Sequence, residues 1–420
     1  MAETLRLKRP VIAITGSAGK STTKEMIAAI LSTRWRIFKS ADNWNFYTHT
    51  QKYRRQIGPN HRAVVLEYGM SGAGHIRKHC KIIQPNYGVI TNIGTAHIGA
   101  FGGDVKKLAR AKSELIRYMK PTGTIVINRD DPNTKLMDKG NFHGRTITFG
   151  IHNEAVYRGS NVRYAAGGMA FDLKTGGGKQ TFYIPISGRH HVYNALAAIA
   201  VARTLGFRYD EIRMGLRRFR RMARRMTIRR FSRSITVIDD SFSSNPNAAI
   251  AAIDTLSQVG KGSKIAVLGS MLALGKYAVR GHQEVGRHIA KKGIAHLFTI
   301  GRFTPAIGNA AIRAGFPKSR VHHFTDRSAL HRKLVQTIGP NTTILVKGSH
   351  AAGMTLTADF LTRRLGNPSA TGKTKPVGVK AKVTDRGVAR KSRGSTAMRA
   401  VKGAKLRRQR KGVRRRSAVS

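Results

Sequence analysis

The run TGSAGKST, Thr15 to Thr22, holds the residue types that grip a phosphate. Gly16 and Gly19 let a backbone approach a phosphate closely. Thr15, Ser17 and Ala18 complete the turn. Lys20 has the reach of the β- and γ-phosphates, and Ser21 or Thr22 offers a hydroxyl to magnesium. The general phosphate-loop pattern asks for a glycine at position 14, where this chain has Ile14, so only its second half is met. Three further groups could serve such a site. Glu67 closes an apolar run and is one of only 20 acids. A carboxylate there points into the crevice where ligands bind in α/β sheets, and can hold magnesium directly or through water. His97 follows another apolar run, and Asn43 and Asn45 sit in a polar loop. Each alone has a plainer reading, as a solvated strand end or a satisfied loop.

These groups need elements to carry them. Residues 11–14 have the length and β-branching of a buried strand. Met26, Ile27, Ala28, Ile30 and Leu31 then recur at helical spacing. A strand, a glycine turn and a helix N-terminus aim free N–H groups and the positive end of the helix dipole at one point. Further strands are expected at 35–39, 63–66, 87–92 and 123–128, with a helix around 109–114. That alternation predicts a mainly parallel sheet. Residues 150–185 are Gly-rich, as in an edge hairpin, and 188–206 read as a helix with a small-residue face. After the intensely basic stretch 215–230, strands are expected at 234–240, 264–269, 295–301, 321–324 and 344–349, the first ending in two acids.

At 420 residues the chain has room for two or three domains. A single cysteine, Cys80, excludes a disulfide framework and a cysteine-built metal site. No apolar run reaches the roughly 20 residues of a membrane span. No apolar segment of a signal peptide precedes the first strand, so a reducing, cytoplasmic setting is expected. The charge is unusual: 77 Lys and Arg against 20 acids, or +57. Residues 367–420 contribute +17 of this and the rest +40. The tail has too little apolar surface to offset its ordering entropy, so it is expected to be disordered. Such charge calls for a polyanion nearby, nucleic acid or an acidic polymer, or else is a generally solvated surface.

TGSAGKST, the loop of Asn43 and Asn45, the strand ending at Glu67, TNIGTAHIGAFGG, AKSE and INRDDPN together resemble the Mur ligases in order and spacing. These are ATP-dependent enzymes that join amino acids to a carboxylate. The likeness is closest to the type that adds D-alanyl-D-alanine to UDP-muramoyl-tripeptide. Their TG(T/S)xGK(T/S) loop accounts for Ile14. The resemblance implies ATP held by residues 15–22, Asn194, Arg225 and Asp240. It implies magnesium on Ser21, Glu67 and His97, and a carbamylated Lys112. Lys20, Lys112 and His97 would be catalytic, and Asn43, Asn45, Lys347 and Ser349 would meet substrate. His191 stands where the family has an asparagine, and Ser270 and Ala273 where it has acids. The implied domains are a phosphate-loop ATPase domain, 1–230, a Rossmann-like domain, 231–366, and the basic tail, 367–420. No UDP-binding domain of roughly a hundred residues is expected before Thr15. With the cationic body, that points to another anionic or polymeric carboxylate, joined to an amino acid or dipeptide. The alternative is a degenerate ligase fold serving as a cationic scaffold on nucleic acid or an acidic polymer.

Overall fold

The computed structural model describes residues 3–366 apart from Gly177; the expected tail lies outside the described residues. Among these, nine strands form a first sheet: β1 (Val11–Thr15), β2 (Ile37–Lys39), β3 (Ala63–Glu67), β4 (Tyr87–Ile90), β5 (Thr124–Asn128), β6 (Arg145–Gly150), β7 (Tyr157–Ala165), β8 (Gly168–Thr175) and β9 (Gly178–Ile184). Their order is β2-β3-β1-β4-β5-β6-β7-β8-β9. Pairing is parallel as far as β7, and the Gly-rich ribbon β7–β8–β9 is antiparallel. All of β1 is buried, as a strand covered on both faces must be, which is why it reads as an unbroken apolar run. The helices that go with this sheet are α1 (Lys20–Leu31), α2 (Tyr47–Gln56), α3 (His75–Ile82), α4 (Val105–Tyr118), α5 (Arg189–Thr204) and α6 (Tyr209–Arg218), of which α1 and α4 pack on β1.

Close helix packing explains the small residues of α5. Ala195, Ala197, Ala198, Ala200 and Ala202 are all fully buried, and α1 and α6 pack nearby. A side chain on Gly215 of α6 would sit 2.4 Å from the Ile30 Cα of α1. The chain runs from β1 out to β2 and back to β3 on one side, then to β4 on the other. This reversal beside β1 opens a crevice at the C-terminal strand ends. Thr15 and Glu67 end two of those strands, and the segment that leads to His97 leaves the third.

The second sheet contains β10 (Thr227–Arg230), β11 (Thr236–Asp240), β12 (Ser263–Gly269), β13 (His296–Ile300), β14 (Val321–Phe324) and β15 (Thr342–Lys347), in the order β10-β11-β15-β12-β13-β14. It is parallel except for β10, which runs antiparallel to β11. That pairing carries residues 227–230 into the second sheet. Helices α7 (Pro246–Val259), α8 (Ala278–Ile289), α9 (Pro305–Arg313), α10 (Arg327–Thr337) and α11 (Met354–Leu365) complete it. Among the described residues no helix is long and apolar enough to cross a membrane.

Candidate active site

The turn after β1 is built to stay open. Gly16 has φ +147°, and a Cβ there would lie 1.9 Å from Thr91 Oγ1. Gly19 has φ +81°, and its Cβ would lie 2.3 Å from Asn194 Oδ1 of α5. Both positions therefore exclude other residues by backbone conformation and by space. The end of β4 latches the turn. Ser17 N–H donates to the Asn92 carbonyl at 3.0 Å and Ala18 N–H to Asn92 Oδ1 at 3.0 Å, while the Thr91 hydroxyl donates to the Ala18 carbonyl at 2.6 Å. Helix α1 begins at Lys20 with no side-chain cap and no acid in its first turn. Its N-terminal N–H groups and dipole are thus left for an anion.

Lys20 Nζ makes one hydrogen bond, to the Gly16 carbonyl at 2.9 Å. Burial lowers its pKa, and the Glu67 carboxylate partly offsets this. Lys112 on α4 is 1% exposed and has neither a hydrogen bond nor an ion pair among the described residues. Burial first, then the charge of Lys20, holds its pKa well below the lysine range. His97 has left-handed backbone, φ +61°. Burial, then Lys20 and Lys112, push its pKa down to about 4. Glu67 is 2% exposed; its Oε1 accepts from Asn45 Nδ2 at 2.7 Å, and its Oε2 is buried without a partner. The fold thus gathers Glu67, His97 and Lys112 around Lys20. A carboxylate oxygen, a neutral imidazole and the Ser21 hydroxyl make a donor set suited to magnesium that keeps waters and substrate phosphates as its other ligands. Among the described residues no three His, Cys, Asp or Glu side chains converge on one point, so a closed metal cage is absent there.

The other expected residues divide. Arg225 reaches the loop, donating from Nη2 to Ser21 Oγ at 3.2 Å, with its guanidinium 4.6 Å from the Phe242 ring centre. Asn194 Nδ2 donates to His191 Nδ1 at 3.1 Å. That leaves the proton of the neutral imidazole on Nε2, which is buried without a partner. Asn43 is half-buried, and Asn45 serves Glu67. Asp240 accepts from Met226 N–H at 3.0 Å and from Lys347 Nζ at 2.6 Å, and Lys347 also donates to the Ser243 carbonyl at 2.8 Å. These two residues tie the ends of β11 and β15 to each other. Ser349 Oγ accepts from Leu272 N–H at 2.9 Å, and His282 Nε2 from Met271 N–H at 3.0 Å; both brace the loop that carries Ser270 and Ala273. That loop meets the first sheet's side of the crevice, where Gly99 N–H donates to the Ala273 carbonyl at 3.1 Å.

Asn247 went unnoticed in the sequence; its Oδ1 accepts from Thr95 N–H at 3.0 Å and Thr95 Oγ1 at 2.8 Å. Asn245 caps α7 and donates to the Ser17 carbonyl at 3.5 Å. The start of α7, which packs on the second sheet, therefore touches the phosphate loop itself.

Residues 14–202 match the Mur ligase middle domain, and residues 224–350 match the Mur ligase, glutamate ligase domain. The UDP-N-acetylmuramoyl-tripeptide–D-alanyl-D-alanine ligase of Synechocystis sp. is 32% identical over 353 residues, 83% of this chain and 74% of that protein. The ligase of the same name from Bacillus subtilis is 34% identical over 340 residues, 81% of this chain and 73% of that protein. The crystal structure of MurF from Acinetobacter baumannii superposes with a TM-score of 0.77 at 29% identity, covering 84% of this chain and 76% of that one.

Proposed function

Since this chain belongs to the Mur ligase family and is an ATP-dependent ligase that forms carbon–nitrogen bonds, we propose that it activates an anionic peptide or polymer carboxylate and joins it to an amino acid or dipeptide of the D-alanyl-D-alanine kind. The observation that carries this reading is the surplus of unspent donors at one point. Buried Lys112, half-buried Lys20 and an uncapped helix N-terminus gather beside a carboxylate with one free oxygen. Burying a cation without a partner is costly, and a mere scaffold would gain nothing from doing so at Lys112.

The acid's carboxylate attacks the γ-phosphate, giving an acyl phosphate and ADP. The amino group then attacks the acyl carbon, and phosphate leaves as the amide forms. Lys20 and the α1 N–H groups stabilise charge developing on the phosphoryl oxygens. Glu67, His97 and Ser21 would hold magnesium, which neutralises the phosphates when bound. Lys112 has the lowered basicity that leaves its amine free to attack carbon dioxide. The neutral amine and carbon dioxide give a carbamate with one proton released, so an anion takes the place of an uncharged amine. Asn194, Arg225 and Asp240 line the nucleotide side, and Asn43, Asn45, Lys347 and Ser349 the substrate side. The cationic surface concentrates an anionic acid substrate, and dependence on ATP suits the cytoplasm.

The test is phosphate release from ATP with UDP-muramoyl-tripeptide or acidic polymers as acid and D-alanyl-D-alanine as amine. Release should require both partners and stop when EDTA removes magnesium. No release with any acid–amine pair would overturn the proposal. A second outcome follows from His97. With its pKa near 4 it is neutral over about pH 5–8, so it contributes no inflection to the pH dependence of kcat/KM there. It protonates, and loses its lone pair for metal, only as the pH falls through about 4. A rate profile inflected near neutrality that flattens in His97→Asn would contradict this.

A further inference from the structure

Three lysines, two of them buried and Lys20 half-buried, cluster near the phosphate loop, and they differ in how their protons are spent. Lys20 has one partner, and Lys112 has none among the described residues. Lys24, one turn beyond Lys20 on α1, is fully buried. An ammonium has three donors and no acceptor. Lys24 donates to the Ser40 carbonyl at 2.8 Å and the Asp42 carbonyl at 2.6 Å, and its ammonium is ion-paired with Glu25 Oε1 at 3.0 Å. Nothing remains for a ligand, so its work lies in what it grips.

Both carbonyls belong to the loop after β2, and that loop holds Glu67 at two points. Ser40 Oγ accepts from Glu67 N–H at 3.1 Å, and Asn45 Nδ2 donates to Glu67 Oε1 at 2.7 Å. The Asn45 carbonyl in turn accepts from Gly69 N–H at 2.9 Å, just past the strand end. Asp42 has φ +30°, a conformation uncommon for a residue with a side chain, and its carbonyl is one of the two that Lys24 holds. With the backbone N–H and Oε1 both fixed, Oε2 is the oxygen left unpartnered.

We propose that Lys24 is a positioning residue: through the Ser40–Asn45 loop it orients Glu67, so that the free carboxylate oxygen meets the metal of the nucleotide site. Only the identity of that metal–nucleotide ligand rests on the ligase reading. Removing the ammonium would leave two carbonyls without a donor, one of them on a buried residue. The loop would relax, and the hold of Asn45 on Glu67 would go with it.

The probes are Mn²⁺, titrated by electron paramagnetic resonance in the presence of adenylyl imidodiphosphate, and hydrogen exchange of the Glu67 amide and residues 40–46. In Lys24→Met, Mn²⁺ affinity should fall about 10–100-fold, as when the outer partners of a metal ligand are removed. The Glu67 amide should exchange faster, while affinity for the analogue without metal stays unchanged. Lys24→Gln, which can still donate to one carbonyl, should recover part of the loss. A Lys24→Met protein that melts earlier yet keeps Mn²⁺ affinity and Glu67 exchange unchanged would reduce Lys24 to a purely structural lysine and overturn the proposal. If Lys24→Met does not fold, Ser40→Ala removes only the acceptor for Glu67 N–H; unaltered Mn²⁺ affinity there would overturn it equally. Failure of the ligase reading would show instead as absent phosphate release in the unaltered protein, with the response of Mn²⁺ affinity to Lys24→Met intact.

Discussion

Replacing Lys20 by alanine is expected to lower kcat/KM for ATP-driven amide formation by at least about 10²–10³-fold, the cost of losing one preorganised charge-stabilising donor. The reason is where the ammonium sits. It is half-buried at the positive end of α1, tethered to the Gly16 carbonyl, with the Glu67 carboxylate as the opposite charge acting on it. Charge that moves onto the phosphoryl oxygens is met by a donor already in place. Phosphate release by Lys20→Ala, measured with saturating acid and amine, is the check; the melting temperature should change little, because the ammonium is only half-buried and makes a single hydrogen bond. A rate within threefold of the unaltered enzyme would place the phosphate elsewhere.

Lys112→Met should part stability from activity more sharply. Lys112 is 1% exposed, and its folded-state pKa is well below the value of about 10.4 expected of the unfolded chain. Between the lowered value and that limit the unfolded chain binds a proton that the folded one does not. The stability of the unaltered protein therefore rises with pH across this window and is lost as pH falls through it. Methionine titrates nothing and fills much the same space. In buffer freed of carbon dioxide, the variant should gain roughly 1–3 kcal/mol at neutral pH, comparable to gains when buried charges give way to apolar side chains. The gain should vanish above about pH 10.4. Urea melts at several pH values measure it. Activity should move the other way, down by about 10–100-fold, if a carbamate on Lys112 supports the metal site. A carbon-13 carbamate signal from labelled bicarbonate, absent in Lys112→Met, would identify the modified group. A variant that is no more stable and fully active would make Lys112 an ordinary core lysine.

Local chemistry made the phosphate loop legible. Gly16, Gly19, Lys20 and Ser21 lie within one turn, and the roles proposed for them follow from side-chain type and spacing. Glu67 and His97 were legible because strand ends in a parallel sheet face a common crevice, so finding the strands nearly finds the site. Other features depend on folding at a distance. Lys24 is one of two lysines at the start of an otherwise weakly charged helix, and its role shows only once the loop after β2 folds back over it. Lys347 reads as a free strand-end lysine, but β15 inserts beside β11 and delivers it to Asp240, 107 positions away. The change of sheet at Thr227 escaped notice for a similar reason: TIRR is too short and too polar to announce a strand, and only pairing with β11 makes it one.

The bare start of α1 has a consequence for how the protein should be handled. A helix end with no cap and no acid in its first turn relies on its visitor to complete it. Bound nucleotide at a hundred times its dissociation constant would add about 2.7 kcal/mol to the folded state. The enzyme is thus most fragile between turnovers, and a preparation stored with ADP should outlast one stored without it.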